Sequence, residues 1–142
     1  MQPIEQHRLT QAGWEAITSG DLDRWRIRMN LSYRALAERL GTYAPTAKFW
    51  CQDKSTRVHA SSCLRVGKFM RDAVSDEAAL TYLGLTWDDV VGVRTVTAWA
   101  GISLLELRVR AANYGVRTIE LVAAGDVFRR QDLSHLGVMV PA

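Results

Sequence analysis

A short helical block that stops at a glycine and starts again almost at once constrains the fold more than any other feature. Residues 31–50 read LSYRALAERLGTYAPTAKFW. Leu36 and Leu40 lie at helical spacing, and Gly41 follows where a glycine commonly ends a helix. Pro45 can lie in the first turn of the next helix, where proline is tolerated. The pattern predicts two helices joined by a tight turn.

The spacing also separates an inner from an outer face of the second helix. Residues three apart share a face of a helix, so Ala47 and Trp50 are expected to face the core. The outer face then carries Ala44, Pro45, Lys48 and Phe49. A small Ala37 at the crossing would let the two helices meet at a steep angle, which holds the second helix out from the body.

Helix signals recur along most of the chain, which predicts an all-α fold. Thr10 and Asp21 are candidate N-caps before the block, and Ser32 is one within it. Capping boxes are predicted at Thr86 with Asp89 and at Ser103 with Glu106. Further helices are expected over residues 60–74, 75–83, 103–115 and 116–125. The segment VVGVRTVTAWAG is rich in β-branched residues and could hold a strand. We find no internal repeat in the sequence.

Charge is unevenly distributed along the 142 residues, whose net charge is +3. Residues 1–72 contain 12 Lys or Arg against 7 Asp or Glu, a net of +5. Residues 73–142 contain 6 against 8, a net of −2. A basic first half is compatible with a polyanionic partner.

Several classes of protein are not expected from this sequence. No apolar run reaches the roughly 20 residues of a membrane span, and the N-terminus lacks a signal-peptide pattern, so a cytoplasmic location is expected. Cys51 and Cys63 fit no zinc spacing and are expected to be buried small apolar residues. His7, His59 and His135 are far apart in the sequence, and none of them belongs to a recognisable catalytic motif. We expect no enzyme, cofactor, metal or small-molecule substrate.

Three sequence blocks with conserved offsets resemble a known family. They read Leu-Ser-Tyr at 31–33, Leu-Ala-Glu-Arg-Leu-Gly at 36–41 and Thr-Ala-Lys-Phe-Trp at 46–50. Residues 22–70 are similar to the lambda-repressor-like (XRE/Cro) helix-turn-helix family. The chain departs from that pattern at Tyr33, where the family usually has Gln, and at Thr42-Tyr43, Cys51 and Asp53. These departures concern contact chemistry more than the fold.

The resemblance implies a domain organisation and a set of DNA-contacting residues. Residues 1–74 would form a helix-turn-helix DNA-binding domain, and residues 75–142 a small, mainly helical C-terminal domain. Base edges in the major groove would be met by Ala44, Pro45, Lys48 and Phe49, with Thr46 at the rim. Phosphates would be met by Tyr33, Arg34, Gln52, Lys54 and Arg57.

The second half offers two interpretations. The segment VRAANYGVRTIELVAAG resembles a helix, a turn at Gly115 and another helix, with Arg108, Arg110 and Arg117 as a second DNA contact. Alternatively, it is a helical hairpin that mediates packing or dimerisation, because its leucines and Ile119 favour burial.

The implied function is a sequence-specific, double-stranded-DNA-binding transcriptional regulator, a small repressor of temperate-phage type that occupies operator DNA. Larger repressors of this type carry a self-cleaving Ser–Lys peptidase, but the second half contains no lysine and cannot supply that base. The alternative is a protein-interaction module, such as an antitoxin or adaptor, that uses the same fold. A homodimer is compatible with either function.

Overall fold

The computed structural model describes residues 1–53 and 57–141, which form two compact units. The first unit spans Met1–Asp76 and the second begins at Glu77. Helices predominate in the described residues, and strands form one small sheet. The first five helices are α1 (Pro3–Ser19), α2 (Asp21–Arg28), α3 (Tyr33–Leu40), α4 (Ala44–Gln52) and α5 (Ala60–Tyr82).

Helix α1 is longer than the sequence predicts. It begins at Pro3, whose fixed φ suits a first turn, and the predicted cap Thr10 lies inside it. The Thr10 hydroxyl donates to the carbonyl oxygen of Gln6 at 2.8 Å. Gly20 ends α1 with a φ of 85° and is also the N-cap of α2, so Asp21 is the first residue of α2 and not its cap. The proline and the left-handed glycine, and not the capping side chains, determine these helix boundaries.

Two glycines allow α1 and α5 to approach to backbone contact in the first unit. A Cβ atom added at Gly13 would lie 1.8 Å from the carbonyl oxygen of Cys63. A Cβ atom added at Gly67 would lie 1.9 Å from the carbonyl oxygen of Leu9. Both helices therefore require glycine at this crossing, although glycine inside a helix costs about 0.5–1 kcal/mol relative to alanine.

Helix α5 is continuous where the sequence predicts two helices. The predicted break between Val74 and Ser75 is wrong, because the helix extends to Tyr82. No glycine or proline interrupts residues 68–82, and alanines at 78 and 79 favour the helix. A serine caps a helix only where the backbone leaves helical geometry, and here it does not.

The second unit combines two helices with a three-stranded antiparallel sheet. The strands lie in the order β1-β3-β2, and Val91 pairs with Phe128 while Ile119 pairs with Val127. The elements are a 3₁₀ helix (Trp87–Asp89), β1 (Val90–Gly92), α6 (Val93–Ala100), α7 (Leu104–Tyr114), β2 (Ile119–Glu120), β3 (Asp126–Arg129) and a second 3₁₀ helix (Arg130–Leu136).

The sheet corrects the all-α prediction. The expected helix over residues 116–125 is wrong, because Ile119–Glu120 is a strand that turns back into Asp126–Arg129. Pairing with β3 buries Val127 and Phe128, and this packing outweighs the local helix signals. The β-branched segment around residue 92 is divided: Val90–Gly92 is a strand, and α6 follows it.

The capping box predicted at Thr86 is confirmed, and of the box predicted at Ser103 the structure shows the serine's half, with the Glu106 carboxylate bonded to Arg110 instead. Thr86 and Asp89 form a capping box, in which the Thr86 N–H donates to the Asp89 carboxylate at 2.8 Å. The Ser103 hydroxyl accepts from the N–H of Glu106 at 3.1 Å, and Gly115 ends α7. The core of this unit consists of Val91, Val96, Leu107, Ala111, Phe128, Leu133, Leu136 and Val138.

Candidate functional site

Helices α3 and α4 form a tightly connected pair. The Ser32 hydroxyl caps α3 by accepting from the N–H of Ala35 at 3.1 Å. Gly41 ends α3 in the left-handed region, and the N–H of Thr42 donates back to the Ala37 carbonyl at 2.9 Å. Helix α4 then begins at Ala44 with proline in its first turn. The sequence prediction of two helices, their caps and the short turn is confirmed.

The buried and exposed faces of this pair are also those the spacing predicts. The inner residues Leu36, Ala37, Leu40, Ala47 and Trp50 are all buried. On the outer side of α4, Pro45, Lys48, Phe49 and Gln52 are exposed, whereas Ala44 and Thr46 are partly exposed. The adjoining Tyr43 is 80% exposed and Phe49 is 50% exposed. An accessible surface with one cation and several apolar groups therefore lies along α4.

Tyr33 connects this surface to the rest of the first unit. Its hydroxyl accepts from the side-chain amide of Gln52 at 3.3 Å, and the Lys48 ammonium lies 5.9 Å from its ring centroid. Three of the predicted contact residues are thus brought together around one phenol ring. Arg34, the next residue of α3, is exposed beside it.

Arg26 of α2 also contacts the Tyr33 ring. Its guanidinium carbon lies 4.1 Å from the Tyr33 ring centroid, and its Nη1 donates to the Leu31 carbonyl at 3.1 Å. Its Nε donates to the Asp23 carboxylate at 2.8 Å. Burial alone would lower the pKa of Arg26, but the hydrogen bond and charge of Asp23 raise it. Arg26 is therefore a charged residue that positions Tyr33.

Cys51 is buried beneath this cluster and is a free thiol, as is the buried Cys63. Burial raises the pKa of the Cys51 thiol to about 12, and the negative charge of Asp23 adds to the shift. A neutral thiol at this position is unreactive at neutral pH. The predicted role of both cysteines as buried apolar residues agrees with this environment.

Sequence reasoning missed a second arginine that supports the pair. Arg65 of α5 donates from Nη1 to the carbonyl oxygens of Leu40 and Gly41, at 3.2 and 2.8 Å. A cation at the C-terminal end of α3 also interacts favourably with the helix dipole. No local pattern marks Arg65, because its partners lie 24 and 25 residues earlier. For Arg26, the spacing of three from Asp23 was a visible signal of an ion pair.

Two further predicted contact residues of the first unit follow α4 in the sequence. Arg57 is exposed before α5 begins. Lys54 lies outside the described residues.

The three arginines predicted in the second unit have different environments. Arg110 is engaged with the protein, since it donates to the Leu136 carbonyl at 3.2 Å and to the Glu106 carboxylate at 3.1 Å. Arg108 and Arg117 are exposed and line one cavity of about 440 Å³. Glu120 and Asp126 line the same cavity, so its two positive charges face two negative ones.

Across the described ranges, 1–53 and 57–141, no group of three or more His, Cys, Asp or Glu side chains could hold a metal ion. No helix formed by these residues has the length and apolar character needed to cross a membrane.

A scan of family models gave no match to the chain, and searches of curated proteins and of solved structures gave none either. The function of this protein is therefore inferred from the geometry and chemistry of its own residues.

Proposed function

We propose that the chain is a sequence-specific, double-stranded-DNA-binding transcriptional regulator that acts as a repressor by occupying operator DNA. In this proposal α3 and α4 are a helix-turn-helix, and α4 enters the major groove. The observation that best supports it is the accessible outer face of α4, where Lys48 is exposed beside the Tyr33 and Gln52 pair.

The chemistry of that face suits a groove of mixed polarity. Lys48 can reach the O6 and N7 acceptors of guanine, while Ala44, Pro45 and Phe49 can contact thymine methyl groups. At the start of α3, Arg34 and the Tyr33–Gln52 pair lie where a phosphate would approach, close to the helix N-terminus that favours anions. Arg57 and Lys54 would add phosphate contacts with no base preference.

The test is binding of the full chain to the DNA upstream of its own gene, measured by fluorescence anisotropy with random DNA as competitor. Lys48→Ala should cost about 1–3 kcal/mol of discrimination at one base position. The matched control is Arg39→Ala, which removes the same charge at the exposed C-terminal end of α3. Equal binding of wild type and Lys48→Ala to operator and random DNA would exclude sequence-specific reading.

A protein-interaction module is the second candidate, because Tyr43 and Phe49, at the start and in the middle of the α4 segment, are large and exposed. A DNA reader should lose affinity steeply as salt rises, since phosphate contacts release counterions. An adaptor or antitoxin should instead retain a protein partner through purification in the absence of DNA. Sedimentation with and without operator DNA would separate the two and would also detect a homodimer.

A further inference from the structure

We propose that the second unit contains another DNA-reading helix pair, formed by α6 and α7, with α7 as the helix that enters the groove. The assignment of a DNA ligand rests on the proposed function of the α3–α4 pair. The α6–α7 pair repeats the helix boundaries and the turn of the α3–α4 pair, a relationship that the sequence does not reveal. The turn between the two helices lies at Gly101 and not at the predicted Gly115.

The two helix pairs repeat with an offset of 60 residues. Helix α3 covers 33–40 and α6 covers 93–100, while α4 begins at residue 44 and α7 at residue 104. Gly41 and Gly101 end the first helices with nearly equal φ and ψ, 67° and 37° against 65° and 32°. The N–H of Ile102 donates to the Thr97 carbonyl at 3.3 Å, as that of Thr42 does to Ala37 at 2.9 Å.

Three of the six buried positions of the α3–α4 pair are buried again at the same offset, and the other three correspond to the partly buried Thr97, Ala100 and Arg110. Leu36 corresponds to Val96 and Ala47 to Leu107, and all four side chains are completely buried. Cys51 corresponds to Ala111, and both are also buried. Since these three positions face inward in both pairs, the same positions of α4 and α7 face outward.

Several outward positions of α7 carry the same kinds of group as those of α4, whereas Glu106 takes the position of Thr46 and Ala112 that of Gln52. Lys48 corresponds to Arg108, and Arg34 to Arg94, so exposed cations recur at the groove position and at the start of the first helix. Pro45 and Phe49 correspond to Leu105 and Val109, which are 72% and 50% exposed.

Each class of exposed group has a use on a duplex. Arginine is the residue most often found bidentate on guanine O6 and N7, and apolar side chains contact the thymine methyl group. Arg117, exposed after α7, lines the same cavity as Arg108, together with Glu120 and Asp126, and would add a phosphate contact. Duplex DNA is the ligand that fits this face, because cations recur both at the groove position and at the start of the first helix.

The repeat is invisible in the sequence because only two residues are identical between 33–53 and 93–113, namely Arg34 with Arg94 and Gly41 with Gly101. Among the remaining pairs, burial is preserved at Leu36 with Val96, Ala47 with Leu107 and Cys51 with Ala111, and charge is preserved at Lys48 with Arg108. Many different sequences can place a glycine in the left-handed conformation and alternate buried with exposed positions.

The experiment is selection from randomised duplex DNA by the full chain, followed by footprinting of the wild type and four variants. The variants are Lys48→Ala, Arg108→Ala, Arg94→Ala and the control Arg39→Ala, each checked for folding by circular dichroism. The selected DNA should contain two preferred segments. Arg108→Ala should weaken binding roughly 5- to 150-fold and relax selection in one segment, while Lys48→Ala relaxes the other. Arg94→Ala should reduce the salt dependence without altering base preference.

Each other outcome is informative. If Arg108→Ala and Arg94→Ala bind and protect DNA as the control does, while Lys48→Ala is defective, the inference is overturned and the proposed function stands. If Arg108→Ala is defective and Lys48→Ala is not, α7 reads DNA and the proposed role of α4 fails. If Leu105→Ser dissociates a dimer in sedimentation while Arg108→Ala leaves DNA binding intact, the exposed face of α7 is a protein interface and the inference is overturned. Absence of any DNA binding rejects both proposals.

Discussion

The guanidinium carbon of Arg26 lies 4.1 Å from the ring centroid of Tyr33, so a residue of α2 supports the first residue of α3. The same arginine bonds to Asp23 and to the Leu31 carbonyl, which leaves its guanidinium little freedom. Tyr33 in turn accepts from Gln52 of α4. Three helices are therefore connected through one phenol ring at the candidate site.

Replacing Arg26 with methionine should destabilise the first unit by about 1–3 kcal/mol, because Asp23 and the Leu31 carbonyl lose their donor. The matched control is Arg24→Met, which removes the exposed ion pair between Arg24 and Asp21 in the same helix. The Arg24 and Asp21 side chains are 64% and 51% exposed, whereas those of Arg26 and Asp23 are 16% and 29% exposed. The control should therefore cost less than about 0.5 kcal/mol. Urea unfolding of both variants measures the difference, and equal costs would contradict the positioning role of Arg26.

Adding a methyl group at Gly67 should be severely destabilising, because its Cβ would overlap the backbone of Leu9. The overlap is relieved only if α1 and α5 move apart. We expect this to lower the free energy of unfolding by about 3 kcal/mol or more, above the usual range for overpacking. The control is Ser61→Ala, an exposed change near the start of α5. Thermal unfolding is the measurement, and a Gly67→Ala variant as stable as wild type would show that the two helices are not in backbone contact.

Removing the side-chain donors of Arg65 should loosen the end of α3. The Leu40 and Gly41 carbonyls lose a charged partner, so Arg65→Met should cost about 1–2 kcal/mol. Arg71→Met is the control from the same helix, since the exposed Arg71 pairs with its neighbour Asp72. Hydrogen exchange at the Thr42 amide reports the turn directly. If the Thr42 amide is protected from exchange as well in Arg65→Met as in the wild type, the Arg65 hydrogen bonds do not hold the end of α3.

Stability of the first unit should fall at alkaline pH because of Cys51. The thiol ionises near pH 9 when exposed, whereas burial and Asp23 raise the pKa of Cys51 to about 12 in the folded state. The stabilisation from the neutral thiol is therefore complete below pH 9 and is lost as pH rises from 9 towards 12. The slope should approach about 1.4 kcal/mol per pH unit.

The Cys51→Ala variant tests this origin of the alkaline loss. Urea unfolding at pH 8, 9, 10 and 11 should show a shallower decline in the variant than in the wild type. Parallel declines would assign the loss to other groups.

Local signals were sufficient for the helix pair at the candidate site. Ser32, Gly41 and Pro45 act through their own backbone conformation or their nearest turn, and the buried positions follow from helical spacing. The same reasoning failed over residues 116–125, where strand pairing with β3 outweighed helix signals. It also placed Thr10 at a helix start, because capping propensity is weak beside the constraint of Pro3.

The sequence by itself determined where the α3–α4 block bends and which of its faces is buried, because caps, turns and periodicity are properties of neighbouring residues. Only the tertiary structure decided the partners of Arg26 and Arg65, the backbone contact at Gly13 and Gly67, and the recurrence of the α3–α4 helix boundaries and turn in α6–α7. Contacts between distant residues depend on how the elements pack, and a repeated turn does not need repeated residues.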